Sequence, residues 1–91
     1  MTFHSIAVIG AGTMGAGIAQ VAAAAGHAVQ LHDVRAGASQ AAIAQIGKSL
    51  ATLVDKGRIS ADEQAATLQR LSVADALSEL AGASLVVEVI V

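Results

Sequence analysis

Two features of this sequence combine residue types and spacing suited to chemistry: the run Gly10-Ala11-Gly12-Thr13-Met14-Gly15 and, 18 residues beyond Gly15, Asp33. Glycines at this spacing recur by chance in a chain rich in alanine and glycine, so the spacing alone is a weak signal. The setting makes it specific: the run follows a short apolar segment, opens a helical pattern, and leads to a second apolar segment that ends at the acid. Each residue then has a task. Gly10 permits the tight turn off the first strand, and Gly12, lacking a Cβ, lets backbone approach a pyrophosphate. Gly15 lets the helix pack closely on the strand, and Gly17 extends that contact. Free N–H groups at the start of the helix, together with its dipole, attract a diphosphate. A carboxylate at the end of the second strand accepts hydrogen bonds from a ribose diol and repels a 2′-phosphate. These positions predict a dinucleotide, NAD in preference to NADP, held by Gly10, Ala11, Gly12, Thr13, Met14, Gly15 and Asp33. The competing reading is a tight helix–sheet corner that binds nothing, with Asp33 a strand-end turn residue.

No other group in the chain has a comparable setting. His4, His27 and His32 are scattered without ligand spacing, and neither cysteine nor a carboxylate cluster accompanies them, so no metal is expected. Histidines beside strand ends read as surface or turn residues. Arg35 reads as a solvated turn residue beside Asp33, although a guanidinium there has the chemistry to meet a 2′-phosphate. No nucleophile-elbow motif is present, and no catalytic residue is assigned.

The elements that must position these residues follow from periodicity. Residues 6–9 form a continuous apolar run ended by Gly10, the pattern of a strand buried on both faces. Residues 14–25 read as a helix ended by Gly26, and 28–32 as a second strand. A long helix over 39–56 carries Ile43, Ile46, Leu50, Leu53 and Val54 as one stripe and stops at Gly57. Ser60 with Glu63 is a capping box that opens a helix to about Arg70. Residues 71–74 form a short, weakly marked strand. Asp75 caps a turn or two of helix that ends at Gly82, and 84–91 is a β-branched last strand. This order predicts an α/β fold, a Rossmann-type doubly wound parallel sheet with helices on both faces, truncated after its fourth strand.

Bulk properties narrow the partners. The 91 residues make one small unit, predicted to be the N-terminal part of a nucleotide-binding domain, with a substrate and dimerisation domain absent from the chain. A net charge of −2 with no basic stripe argues against nucleic acid. The absence of cysteine excludes disulfide and thiolate chemistry. Residues 6–31 contain no Asp, Glu, Lys or Arg, a length that spans a bilayer, but four glycines near its start, with Gln20 and His27 inside it, favour no membrane span. With no cationic leader at the start, the expected compartment is the cytoplasm.

The run from Ile6 to Gln20, the Gly26-His27 pair before the second strand, Lys56-Gly57 after the long helix and Leu85-Val86-Val87-Glu88 resemble the 3-hydroxyacyl-CoA dehydrogenase family. The resemblance implies a parent enzyme that oxidises an L-3-hydroxyacyl-CoA to the 3-ketoacyl-CoA with hydride transfer to NAD. It implies Ser49 and Lys56 as contacts for the CoA moiety. These two lie seven residues apart, on nearly one helix face; geometry alone favours a solvated serine and a helix-end lysine, and it is the resemblance that points to CoA. The resemblance places the histidine base, its glutamate and the substrate-side serine and asparagine downstream, with no counterpart here, so this chain alone is expected to be inactive. It also implies a homodimer formed through the absent C-terminal domain. Where the family usually has alanine after Val-Val-Glu, this chain has Val89, which either crowds the nucleotide or points into the core. Two alternatives remain at this level: another dehydrogenase of the same fold acting on a hydroxy acid or sugar acid, and a catalytically silent nucleotide sensor.

Overall fold

The computed structural model describes residues 5–80 and 82–89. Its strands are β1 (Ser5–Ile9), β2 (Ala28–His32), β3 (Leu71–Val73) and β4 (Leu85–Glu88), and its helices are α1 (Thr13–Ala24), α2 (Ala38–Asp55) and α3 (Ala61–Gln69). A 3₁₀ turn covers Leu77–Leu80. The four strands form one parallel sheet in the order β3-β2-β1-β4. The register sets Ser5 beside Ala28, Ile6 beside Leu85 and Val29 beside Leu71.

The alternation of side chains along β1 explains how the layers divide. Ile6 and Val8 point to one face and pack with Val29 and Leu31 of β2, Ala19 and Ala23 of α1, and Ala42, Ile46 and Leu50 of α2. Ala7 points to the other face, where Ala74 and Leu80 cover it, with Ile9 and Ala83 at the margin. Alanines at the α1 contact bring the helix axis close to the sheet, so a chain with few large side chains still closes its core.

All three α-helices lie on the Ile6/Val8 face, and this corrects the expectation of helices on both faces. The handedness of parallel crossovers supplies the reason. The chain moves from β1 to β2 to β3 in one direction, which puts α1 to α3 on one side. It then returns past β1 to β4, which requires a crossover on the opposite side. That crossover contains only the 3₁₀ turn, the shorter form of the one or two helical turns expected after Asp75. Its opening N–H, on Ala76, is instead held by Glu79 Oε2 at 2.7 Å.

Local expectations met the structure unevenly. β2 has its expected bounds, and α2 starts and ends one residue early. The Ser60–Glu63 capping box is formed, with the Glu63 N–H donating to Ser60 Oγ at 3.1 Å and the Ser60 N–H to Glu63 Oε1 at 3.3 Å. β4 is shorter than expected and ends at Glu88; the part of that expectation falling on 90 and 91 lies outside the described residues. Arg70, just past α3, donates from Nη1 to the Ala23 carbonyl at 2.8 Å, setting a cation at the negative end of α1.

Candidate nucleotide-binding cleft

The carboxyl ends of β1, β2 and β4 open into a cleft of about 700 Å³. Gly10, Gly12, Thr13, Met14, Gly15 and Asp33 line it, joined by Ile9, Val34, Arg35, Glu88 and Val89. It lies where β2 and β4 flank β1 and the chain leaves the sheet in opposite directions, the place where open α/β sheets have room for a ligand.

Backbone conformation builds the glycine corner. Gly10 has φ of +103°, and a Cβ there would sit 2.9 Å from the Val89 carbonyl oxygen, so both its dihedral and its neighbour require glycine. A Cβ on Gly15 would collide with the Gly10 carbonyl oxygen, which is the close helix–strand approach expected of that position. At Gly12 a Cβ would meet nothing within 4 Å, so that side of the turn is open. Gly17 also has open space beside it and makes no close contact, so the packing role expected of it is not borne out. Gly12 is the N-cap residue of α1; no side chain caps that helix and its first turn holds no acid, so its positive end faces the cleft uncompensated.

Asp33 begins the loop after β2, and only 6% of its side chain is exposed. Its Oδ2 accepts the Ala11 N–H at 2.8 Å, tying the glycine corner to the end of β2. Ala11 is itself buried and does not line the cleft; its N–H serves Asp33. Arg35 supplies three more donors. Its backbone N–H and Nε reach Oδ1 at 2.8 and 3.0 Å, and Nη2 reaches Oδ2 at 2.9 Å. Hydrogen bonds from the Arg35 side chain, then from the Ala11 and Arg35 N–H groups, hold the Asp33 carboxyl well below the usual carboxylate range. The same pairing raises Arg35 above its ordinary value. Arg35 is therefore an ion-pair partner and not merely a solvated turn residue.

Two other residues depart from expectation. His32 is buried, where a surface or turn residue was expected, and its Nδ1 lies 2.8 Å from the Ala74 carbonyl, a partner 42 residues away. Val89 packs against the core, one of the two readings left open for it, and also lines the cleft. His4 lies outside the described residues. Among the described residues no group of His, Cys, Asp or Glu could hold a metal ion. Ser49 is half-buried on α2, and Lys56 is exposed just past its end; neither lines the cleft.

Of the lining residues, Ile9, Val34, Arg35 and Glu88 were not among those assigned from sequence, and Val89 was read only as a neighbour of the nucleotide or the core. Their signal was their place at strand ends, which tells that they border the crevice only once the strand order is known.

Residues 5–91 match the family model of the 3-hydroxyacyl-CoA dehydrogenase NAD binding domain. The chain belongs to this family. It is 46% identical over 85 residues to 3-hydroxyadipyl-CoA dehydrogenase of Escherichia coli (strain K12), covering 93% of this chain and 18% of that protein. It is 42% identical over 83 residues to 3-hydroxybutyryl-CoA dehydrogenase of Bradyrhizobium diazoefficiens, covering 91% of this chain and 28% of that one. Among solved structures, 3-hydroxybutyryl-CoA dehydrogenase from Escherichia coli K12 superposes with a TM-score of 0.91 at 44% identity, over 97% of this chain and 19% of the other. The chain thus spans less than a third of the length of these dehydrogenases, and the part it matches is their NAD-binding domain. Among the described residues no helix is long and apolar enough to cross a membrane.

Proposed function

We propose that the cleft binds NAD and serves an enzyme that oxidises an L-3-hydroxyacyl-CoA to the 3-ketoacyl-CoA. The observation that carries this reading is that an uncapped helix N-terminus and a well-ionised carboxylate face one cleft at the switch point of the sheet. In it Gly10, Gly12 and the N–H groups of Thr13, Met14 and Gly15 surround the diphosphate. Ala11 holds Asp33 in place, and Asp33 accepts from the adenosine ribose. NAD, when bound, supplies the hydride acceptor; the residues of this chain bind and orient it and carry no proton for the reaction. The acyl-CoA is the second partner, with Ser49 and Lys56 as its contacts on the flank of α2. That pair and the homodimer rest on the family resemblance, and the cytoplasmic setting on the sequence reading alone. Residues 1–91 act as the nucleotide-gripping part of the domain, and none of them is assigned as the general base.

Asp33→Ser tests the assignment. Losing a charge-assisted pair of hydrogen bonds to the ribose should weaken NAD binding about tenfold or more in a calorimetric titration, and narrow the preference over NADP. NAD binding that survives the substitution intact refutes the ribose role.

A further inference from the structure

Asp33 has a full complement of donors before any sugar reaches it. Each carboxylate oxygen offers about two lone-pair positions. On Oδ1 they go to the backbone N–H and Nε of Arg35, and on Oδ2 to the Ala11 N–H and Nη2 of Arg35. The two backbone donors are fixed by the chain. The two guanidinium donors are not: the Arg35 side chain is 65% exposed and stands at the rim of the cleft. The fork therefore takes one position on each oxygen, and a vicinal diol would use that same pair of positions, one hydroxyl on each.

We infer that Arg35 is a latch on the ribose subsite, competing with the adenosine diol for Asp33 and setting how strongly the cleft discriminates NAD from NADP. This rests on the NAD reading proposed above. Two consequences follow from the geometry. First, NAD binding must break both hydrogen bonds from the exposed Arg35 side chain to the Asp33 carboxylate, so Arg35 lowers NAD affinity by the strength of that pair. Second, Arg35 cancels the charge that Asp33 would present to a 2′-phosphate, and once displaced it leaves a cation beside the same position. The carboxylate repels NADP and the guanidinium offsets the repulsion, so the wild-type preference is muted. An arginine two residues after a strand-end aspartate thus acts as a specificity residue without touching NAD through a hydrogen bond.

The test is a set of NAD and NADP titrations of the 91-residue chain and its Arg35→Ala, Arg35→Lys and Asp33→Ser variants. The cation of this pair stands in solvent, which weakens the pair, so Arg35→Ala should tighten NAD by only about two- to fivefold. It should weaken NADP in the same protein, so the NAD-to-NADP ratio rises by more than either change alone. Arg35→Lys keeps the charge without the planar fork. It should gain NAD affinity while retaining the wild-type affinity for NADP. In the wild type, the Nε–H resonance of Arg35 should lose its hydrogen-bonded shift when NAD is added, a change a purely structural ion pair would not show. NAD affinity unchanged or weakened in Arg35→Ala, with Asp33→Ser still weakening NAD, overturns the latch and leaves the ribose assignment standing. NAD binding unaffected by Asp33→Ser overturns both.

Discussion

Replacing Gly15 by alanine places a methyl group where the Gly10 carbonyl oxygen already lies. That oxygen has little freedom to retreat. The Gly10 N–H is bonded to the His32 carbonyl at 2.8 Å, and the Val89 backbone closes the other side of the turn. Forcing an extra carbon against fixed backbone costs about 3 kcal/mol, at the upper end of overpacking effects. Alanine recovers about 1 kcal/mol of helix propensity, leaving a net loss of about 2 kcal/mol. In a unit of this size each kcal/mol moves the melting temperature by about 4–8 °C, so Gly15→Ala should melt roughly 8–16 °C below wild type. Gly17 provides the internal control. It lies in the same helix with open space around it, so Gly17→Ala should gain propensity at no steric cost and melt about 4–8 °C higher. Circular dichroism melts of the three proteins at one concentration decide the matter. If the two variants melt within a few degrees of each other, or Gly15→Ala is the more stable, the close approach of helix and turn does not hold.

Two further outcomes are expected. The Asp33 carboxyl is held below the ordinary range in the folded protein, so its contribution to stability is present above its unfolded value, near pH 4, and is lost as pH falls below it. The difference in melting temperature between wild type and Asp33→Asn should accordingly stay constant from about pH 7 to 5 and shrink below about pH 4; a difference that grows on acidification contradicts the ion pair. In a full-length dehydrogenase built on this domain, Lys56→Ala should raise KM for acyl-CoA several-fold, more at low salt than at high, with KM for NAD unmoved. Unchanged acyl-CoA kinetics would return Lys56 to the solvated surface.

What the sequence disclosed and what it withheld divide along the range of the interactions. The glycine corner, the Ser60–Glu63 box and the bounds of β2 are written within a few neighbouring residues, and all three were legible. The β1 strand and the parallel order were legible through apolar continuity and the alternation of strands with helices. The side of the sheet each helix takes was not read correctly, because Ala76, Leu77, Glu79 and Leu80 are good helix formers, while the crossover that holds them carries only a 3₁₀ turn. His32 was misread for a different reason. Its partner, the Ala74 carbonyl, comes from the neighbouring strand end, and no local pattern announces a backbone acceptor 42 residues away. Arg35 was visible beside Asp33, but the fork depends on a turn that brings three of its donors onto one carboxylate. Ser49 and Lys56 belong to neither class: the helix that carries them was found, and the cleft does not include them.

The pairing of β1 has a bearing on how the protein is made. β1 emerges first and finds β2 after one helix, but its other neighbour is β4, with Ile6 set beside Leu85. At ordinary rates of synthesis the ribosome needs several seconds to travel between those two residues. Throughout that interval a strand carrying Ile6, Val8 and Ile9 has one unpaired edge and half of its apolar cover. A nascent chain in this condition is open to pairing with other nascent chains, and chaperones recognise the same surface. Mutations that weaken β4, the last of these four strands to arrive, should therefore lower the yield of folded protein in cells more than they lower its melting temperature once folded.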